Sequence, residues 1–150
     1  MNKVLAITAM LVMGTASGAD TSLVPKKDAL PEFLPVDQAF ELQPLVQKKD
    51  GTLEVSWHIT KGYFLYQERI KFAPAAPASL KLGAPAFPSG EVHEDEYFGK
   101  THVFHNNTLT VGLPTGKDAK GPLSITVSYQ GCADAGLCYP PQTRTLEAGR

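Results

Sequence analysis

The sequence has 150 residues, which is enough for one domain and too short for two of ordinary size. Hydrophobic residues make up 43% of the chain and charged residues 19%, a globular composition that excludes a disordered protein. The net charge of −1 leaves no basic surface for nucleic acid, so we expect no nucleic-acid partner.

The first residues have the pattern of a secretory leader. Lys3 gives a positive start, residues 4–13 are apolar except for Thr8, and small residues follow. Such a run is too short to span a membrane, which needs about 20 apolar residues. We therefore expect a signal peptide over residues 1–19, cleaved near residues 18–19, and an exported chain with no membrane span of its own. A polar, flexible lead-in over residues 20–32 then precedes a single domain over residues 33–150.

Alternating apolar and polar residues predict several strands. The clearest are 53–59 and 123–129, where every second residue is apolar, as in a sheet with one buried face. Trp57 lies on the apolar face of the first and is expected in the core. Further strands are expected at 40–46, 63–72, 80–82, 103–104, 109–113 and 143–146, the last as the partner of 123–129. Short strands separated by Gly and Pro turns predict an all-β fold, an antiparallel β-sandwich.

The two cysteines of the chain, Cys132 and Cys138, follow the last clear strand and are separated by five residues. Asp134 and Gly136 between them are turn formers, and a hairpin-like loop brings two Cα atoms to the roughly 5–6 Å that a disulfide needs. Two cysteines in an exported chain pair with each other by default. The sequence therefore predicts one local disulfide loop.

Three functions for this cysteine pair remain open on the residues alone. A disulfide that only stabilises the fold is the simplest function, but closing a seven-residue loop removes only about 2.4 kcal/mol of unfolded-state entropy. A short bridge at a strand end opens and recloses without unfolding the domain, which suits thiol–disulfide exchange. A zinc site with His93, His102 and His105 is the third interpretation, although the thiols lack the roughly two- to four-residue spacing of a common zinc pair.

Residues 93–100 combine acidic residues, two adjacent aromatic residues and a glycine. Adjacent aromatic residues on a β-loop cannot both face one core, so Tyr97 or Phe98 is expected to cover something else. A solvated loop with one aromatic anchor is the simpler alternative. If Asp95 and Glu96 lie near a thiol, their charges raise its pKa and keep it unreactive until a partner displaces them.

The segment 129–141 (YQGCADAGLCYPP) closely resembles the redox motif of the N-terminal periplasmic domain of the thiol:disulfide interchange protein DsbD. Three other stretches, 33–40, 62–66 and 93–100, also match and follow in the order of that family. The resemblance extends over about residues 33–146, nearly the whole chain after the leader. It implies an immunoglobulin-like β-sandwich.

The resemblance also implies an electron relay, that is, a protein-disulfide reductase domain. Cys132 and Cys138 would accept electrons from a membrane-embedded donor domain of the DsbD type and pass them to thioredoxin-like periplasmic proteins. Those partners include disulfide isomerases and cytochrome c maturation factors. Cys138 would form the mixed disulfide with partners. Because the electrons move between cysteine pairs, no metal, nucleotide or flavin cofactor is expected.

In the same family a cap loop covers the disulfide and opens when a partner docks. By position, that loop maps here to Asp95, Glu96, Tyr97, Phe98 and Gly99. Tyr97 would be the shielding aromatic, but the family has Phe before Tyr, and the reversed order here leaves open which ring covers the sulfurs. Tyr63 and Tyr66 are candidates for lining the redox site, with packing inside the sandwich as the alternative.

Members of this family continue into a multi-helix membrane domain and a thioredoxin-like domain, neither of which follows Arg150 in this sequence. We therefore expect either an excerpt of such a protein or a stand-alone relay. The competing class is a non-catalytic immunoglobulin-like binding module with a structural disulfide. Redox behaviour separates the two, because a relay is reduced by a thioredoxin-like partner while its β-fold stays intact.

Overall fold

A computed structural model describes residues 32–148 except 97, 106, 117, 118 and 120. The expected signal peptide, nearly all of the lead-in and Tyr97 lie outside the described residues. Within them the chain forms eleven strands, a short helix α1 and a 3-10 turn. In chain order these are α1 (Val36–Ala39), β1 (Phe40–Leu42), β2 (Val46–Gln47), β3 (Leu53–Ile59), β4 (Tyr63–Tyr66), the 3-10 turn (Gln67–Arg69), β5 (Lys71–Ala76), β6 (Glu91–Asp95), β7 (Gly99–His105), β8 (Thr108–Leu113), β9 (Ser124–Tyr129), β10 (Gly131–Ala133) and β11 (Gln142–Glu147).

The strands form three antiparallel sheets around one main core, and the predicted all-β, immunoglobulin-like sandwich is confirmed. In the first sheet, β3 pairs with β8 on one side and with β1 and β2 on the other. The apolar positions of β3 are buried in strict alternation, and Trp57 is completely buried, as its sequence pattern predicts.

A second group of strands, in the order β11, β9 and β5, closes the core opposite β3. Its register places Leu146 beside Ile125, so the predicted pairing of 143–146 with the strand ending at Tyr129 is confirmed. The Trp57 and Tyr129 rings meet edge to face with centroids 5.7 Å apart, which joins the two groups of strands through their aromatic residues.

The remaining sheet, in the order β10, β4, β7 and β6, positions the cysteines. All four residues of β4 are buried, because β4 lies between β10 and β7. Phe64, Tyr66, Val103 and Cys132 form a small buried cluster of their own beside the main core.

Three segments differ from the structure that the sequence predicted. The stretch 63–72 is not one strand, because the 3-10 turn divides it into β4 and β5, which belong to different sheets. Residues 80–82 make only an isolated bridge from Leu82 to Thr115, while Leu80 is buried in the main core. Glu91–Asp95 is an edge strand rather than a loop, and since neither of its faces is fully buried, its residues carry no alternating pattern.

Candidate functional site

Cys132 and Cys138 are bonded to each other, as predicted, across the two arms of a tight turn. Their sulfurs are 2.09 Å apart and their Cα atoms 4.0 Å apart. The turn closes through a hydrogen bond from the Ala133 N–H to the Leu137 carbonyl, 2.7 Å long. Gly136 has a φ of +99°, a left-handed conformation that glycine adopts without steric cost, so the sequence allows the chain to reverse there.

The two cysteines differ sharply in exposure. Cys132 lies in β10 opposite Phe64 of β4 and is 1% exposed, whereas Cys138 follows the turn and is exposed. A sulfur atom of another protein, approaching from solvent, therefore meets Cys138 before Cys132.

A groove of about 480 Å³ lies against the disulfide and is lined by both cysteines. Asp95 and Glu96 also line it, as do Asp134 and Gly136 of the cysteine turn. The structure thus brings two of the predicted cap residues to the site. An approaching thiol would enter a groove whose walls carry several carboxylates.

Phe98 and Gly99, two further predicted cap residues, lie at the turn between β6 and β7. Gly99, with a φ of +67°, pairs with Asp95 and closes this hairpin. The Phe98 ring packs edge to face on Tyr66 with centroids 5.1 Å apart, and it is partly exposed. Phe98 therefore covers the aromatic ring beside the disulfide, while Tyr97 lies outside the described residues.

Tyr66 connects the cap to the buried sulfur. Its hydroxyl donates a hydrogen bond to Oδ2 of Asp95, and the Tyr66 oxygen lies 3.4 Å from Sγ of Cys132. Asp95 also accepts a 2.9 Å hydrogen bond through Oδ1 from the backbone N–H of Phe98. Because a disulfide sulfur carries no proton, the Cys132 thiol gains a donor toward Tyr66 only on reduction.

Tyr63 lies in the main core and contacts the N-terminal segment instead of the sulfurs. Its hydroxyl accepts a 2.9 Å hydrogen bond from the Leu34 N–H, while the Tyr139 hydroxyl donates a 2.5 Å bond to the Leu34 carbonyl. Burial, together with the neighbouring Tyr63 hydroxyl, raises the pKa of Tyr139 to about 12. The residue directly after Cys138 is therefore fixed to the segment that precedes α1.

Sequence reasoning considered His105 only as a zinc ligand and missed its contact with the cysteine turn. His105 places Nε2 3.3 Å from Oδ1 of Asp134 and Nδ1 3.4 Å from Oε2 of Glu91, although the Nδ1 contact lacks hydrogen-bond geometry. Its ring also packs on Phe64, with centroids 5.1 Å apart. The spacing of His105, Asp134 and Glu91 along the chain gave no signal, because only strand pairing brings them together.

The histidines considered for zinc do not converge with the sulfurs into a ligand set. His102 binds Glu68 through Nδ1 at 3.0 Å, and His93 packs on Phe64. Across the described ranges, no group of three or more potential metal ligands occurs. The same part of the chain contains no helix long and apolar enough to cross a membrane.

Comparison with known proteins identifies the family. The model for the N-terminal domain of the thiol:disulfide interchange protein DsbD matches residues 31–149. The thiol:disulfide interchange protein DsbD of Cronobacter sakazakii is 38% identical over 140 residues, which cover 93% of this chain and 23% of that protein. This chain spans less than a quarter of the length of such curated relatives.

Two solved structures from Neisseria meningitidis share the fold. One is the reduced form of the DsbD N-terminal domain, with a TM-score of 0.68 and 38% identity, covering 77% of this chain and 90% of that one. The other is a complex between the DsbD N-terminal and PilB N-terminal domains, with a TM-score of 0.64 and 37% identity over 77% of this chain and 87% of that one. The resemblance seen in the cysteine motif is thus confirmed over almost the whole described domain, and the chain belongs to the family of DsbD N-terminal domains.

Proposed function

We propose that this chain is a protein-disulfide reductase domain that relays electrons through Cys132 and Cys138. The observation that carries the proposal is the contrast between the exposed Cys138 and the buried Cys132 to which it is bonded, in a groove open to solvent. A purely structural disulfide gains nothing from such a groove. The relatives, named for thiol:disulfide interchange, support the same assignment.

Electrons enter when a donor thiolate attacks Sγ of Cys138. A mixed disulfide forms at Cys138, and the sulfur of Cys132 leaves as a thiolate and takes up a proton. The second donor thiol then attacks the donor sulfur of the mixed disulfide. Both cysteines become thiols and the donor becomes a disulfide, so two electrons and two protons have passed to this chain.

Electrons leave by the same steps in reverse. The Cys138 thiolate attacks the disulfide of a partner, and one partner sulfur leaves as a thiolate, which then takes up a proton. The Cys132 thiolate then attacks the sulfur of Cys138, which re-forms the Cys132–Cys138 bond and releases the reduced partner. Each sulfur needs only to reach its neighbour, so the proposed reaction uses no metal or organic cofactor.

The proposed partners follow from the family. The donor is a membrane-embedded domain of the DsbD type, and the acceptors are thioredoxin-like periplasmic proteins such as disulfide isomerases and cytochrome c maturation factors. The related complex of a DsbD N-terminal domain with the PilB N-terminal domain supports docking of another protein domain on this fold. The periplasmic location rests on the leader pattern of residues 1–19.

Asp95, Glu96, Phe98 and Gly99, which together we call the cap turn, act as a cover that a docking partner displaces. Asp95 and Glu96 line the groove together with both cysteines. The cap turn joins β7 to β6, which is an edge strand of the sheet. The cap turn can therefore move while β4 and β7 stay paired. In the covered state, the carboxylates that line the groove also disfavour an approaching thiolate through like-charge repulsion.

Single-cysteine variants test this mechanism. The probe is a thioredoxin-like protein with one active-site cysteine, activated as a mixed disulfide with thionitrobenzoate. Reduced Cys132→Ser, which keeps the exposed thiol, should release the coloured thionitrobenzoate and form a covalent heterodimer on a non-reducing gel. Cys138→Ser, the matched control, should do so far more slowly, because its remaining thiol is buried.

The two possible failures have different meanings. Equal trapping by both variants would show that Cys132 is as accessible as Cys138 and would overturn the assignment of the attacking sulfur. If neither folded variant traps the partner, and the partner does not reduce the intact bridge, the exchange proposal fails. The structural-disulfide alternative would then stand.

A further inference from the structure

The cap turn is fastened at Phe98 by contacts on three sides. The Arg69 guanidinium lies over the Phe98 ring, with Cζ 4.0 Å from the ring centroid, a cation–π contact. The Tyr66 ring meets Phe98 edge to face, and Asp95 accepts a hydrogen bond from the Phe98 N–H. Arg69, Phe98, Tyr66 and Cys132 therefore form a continuous stack from solvent to the buried sulfur.

Arg69 is the last residue of the 3-10 turn, which is anchored to β7. The preceding Glu68 accepts hydrogen bonds from the Thr101 hydroxyl and from the backbone N–H and Nδ1 of His102, so its carboxylate fixes the 3-10 turn to β7. Burial alone would raise the pKa of Glu68, but these hydrogen bonds outweigh it and bring the pKa to about 2. The anchor thus stays charged across the neutral range, while Arg69 reaches over the cap turn.

We propose that Arg69 is a positioning residue that holds the cap turn in its covering position by clamping the Phe98 ring against Tyr66. The inference rests on the proposed exchange function and specifies which contact controls access to the disulfide. Arg69 is exposed and touches neither sulfur, so its effect acts through Phe98. Loss of the guanidinium leaves the core intact and shifts the cap turn toward its displaced state.

The expected size of the effect follows from the contact. An exposed cation–π pair corresponds to a factor of about two to five in an equilibrium constant. If the covering position dominates, removal of the pair raises the displaced fraction by that factor. The rate of any reaction that requires displacement then rises by the same factor, about two- to fivefold.

The test compares Arg69→Gln with Arg144→Gln in the oxidised protein. Both variants lose one positive charge, but Arg144 pairs with Asp37 at 2.8 Å, outside the groove and the cap turn. Reduction by dithiothreitol is followed by acid quench, thiol alkylation and mass spectrometry. We expect reduction of Arg69→Gln to be about two- to fivefold faster than wild type, and Arg144→Gln to match wild type.

A second set of variants separates the clamp from a general loss of stability. Arg69→Lys retains a cation and should recover part of the wild-type rate, since an ammonium also binds an aromatic face. Phe98→Leu should accelerate reduction, and Arg69→Gln should add nothing further in that background. Arg69→Gln should melt within about 1–2 °C of wild type, because surface changes alter stability little.

Three results would overturn the proposal: Arg69→Gln is reduced no faster than Arg144→Gln, Arg69→Lys shows no recovery of the wild-type rate, or Arg69→Gln still accelerates reduction in the Phe98→Leu background.

The dithiothreitol assay needs no partner protein. If wild type fails to exchange with thioredoxin-like partners while Arg69→Gln still accelerates reduction by dithiothreitol, the proposed function falls and the clamp stands. If partners exchange normally but the variants do not differ, the clamp alone is refuted.

Discussion

Gly131→Ala should disrupt the strand that carries the buried cysteine. Gly131 begins β10 opposite Leu65 of β4. An added Cβ would lie 2.5 Å from Cζ and 2.9 Å from Cε1 of the Phe40 ring, and closer still to the carbonyl oxygen of Phe64. That oxygen belongs to a strand held between β10 and β7, so it cannot retreat. The strain is relieved only if β10 moves away from β4.

The cost is at the upper end of the range for overpacking, about 3 kcal/mol, because a backbone atom blocks the methyl group. A domain of this size loses roughly 4 °C in melting temperature per kcal/mol, so the expected decrease is about 12 °C. Displacement of β10 also lengthens the 3.4 Å contact between Tyr66 and Sγ of Cys132. The disulfide should therefore be reduced faster by dithiothreitol than in wild type.

Thermal unfolding followed by circular dichroism measures the effect, with Gly112→Ala as the matched control. Gly112 also lies in a strand, but its added Cβ would meet Thr52 and Ala86 at ordinary distances of 3.7 and 3.8 Å. The control should melt within about 2 °C of wild type. If Gly131→Ala melts as close to wild type as the control does, β10 and β4 are loosely packed, and the argument that strand packing buries Cys132 is wrong.

Three further predictions concern the surroundings of the site. Tyr63→Phe removes the acceptor of the Leu34 N–H, so hydrogen exchange at that amide should become faster; an unchanged rate would contradict the bond. The folded pKa of Glu68, about 2, lies below its ordinary 4.5, so its stabilising effect is complete above about pH 4.5 and lost as pH falls toward 2. The difference in melting temperature between wild type and Glu68→Gln should shrink over that interval, and a constant difference would refute the linkage. Replacement of both Cys132 and Cys138 by Ala should lower the free energy of unfolding by about 2.4 kcal/mol and leave the far-ultraviolet circular dichroism spectrum unchanged. If this double variant fails to fold, the disulfide is structural.

The parts of the fold that sequence reasoning predicted are those in which burial follows a local pattern. β3 buries every second residue, so its apolar positions alternate along the chain. β9 has the same alternation, and its partner β11 lies shortly after it in sequence, beyond β10 and the cysteine turn. The disulfide was also predictable, because a turn of five residues brings Cys132 and Cys138 together without help from the rest of the fold.

The cap and its contacts were less predictable because they depend on pairing between distant strands. β6 is an edge strand with half-exposed faces, so no alternation marks it. The break between β4 and β5 arises because Glu68 binds β7, which is more than thirty residues away in sequence. The contact of Arg69 with Phe98 likewise exists only after β4, β7 and β6 have assembled. Periodic patterns in the sequence cannot predict such contacts between distant strands.

The hydrogen bonds around the cysteine turn explain how one sulfur–sulfur bond can open without loss of the site. The Ala133 N–H binds the Leu137 carbonyl before Cys138, and the Tyr139 N–H binds the Gly131 carbonyl at 3.0 Å after it. The side-chain amide of Gln130 also donates to the Tyr139 carbonyl at 3.0 Å. These bonds hold both arms of the turn whether or not the sulfurs are joined, so a reduced Cys138 stays within reach of Cys132. The resolving step of the proposed exchange is then intramolecular and pre-oriented, which favours rapid release of a partner over a long-lived mixed disulfide.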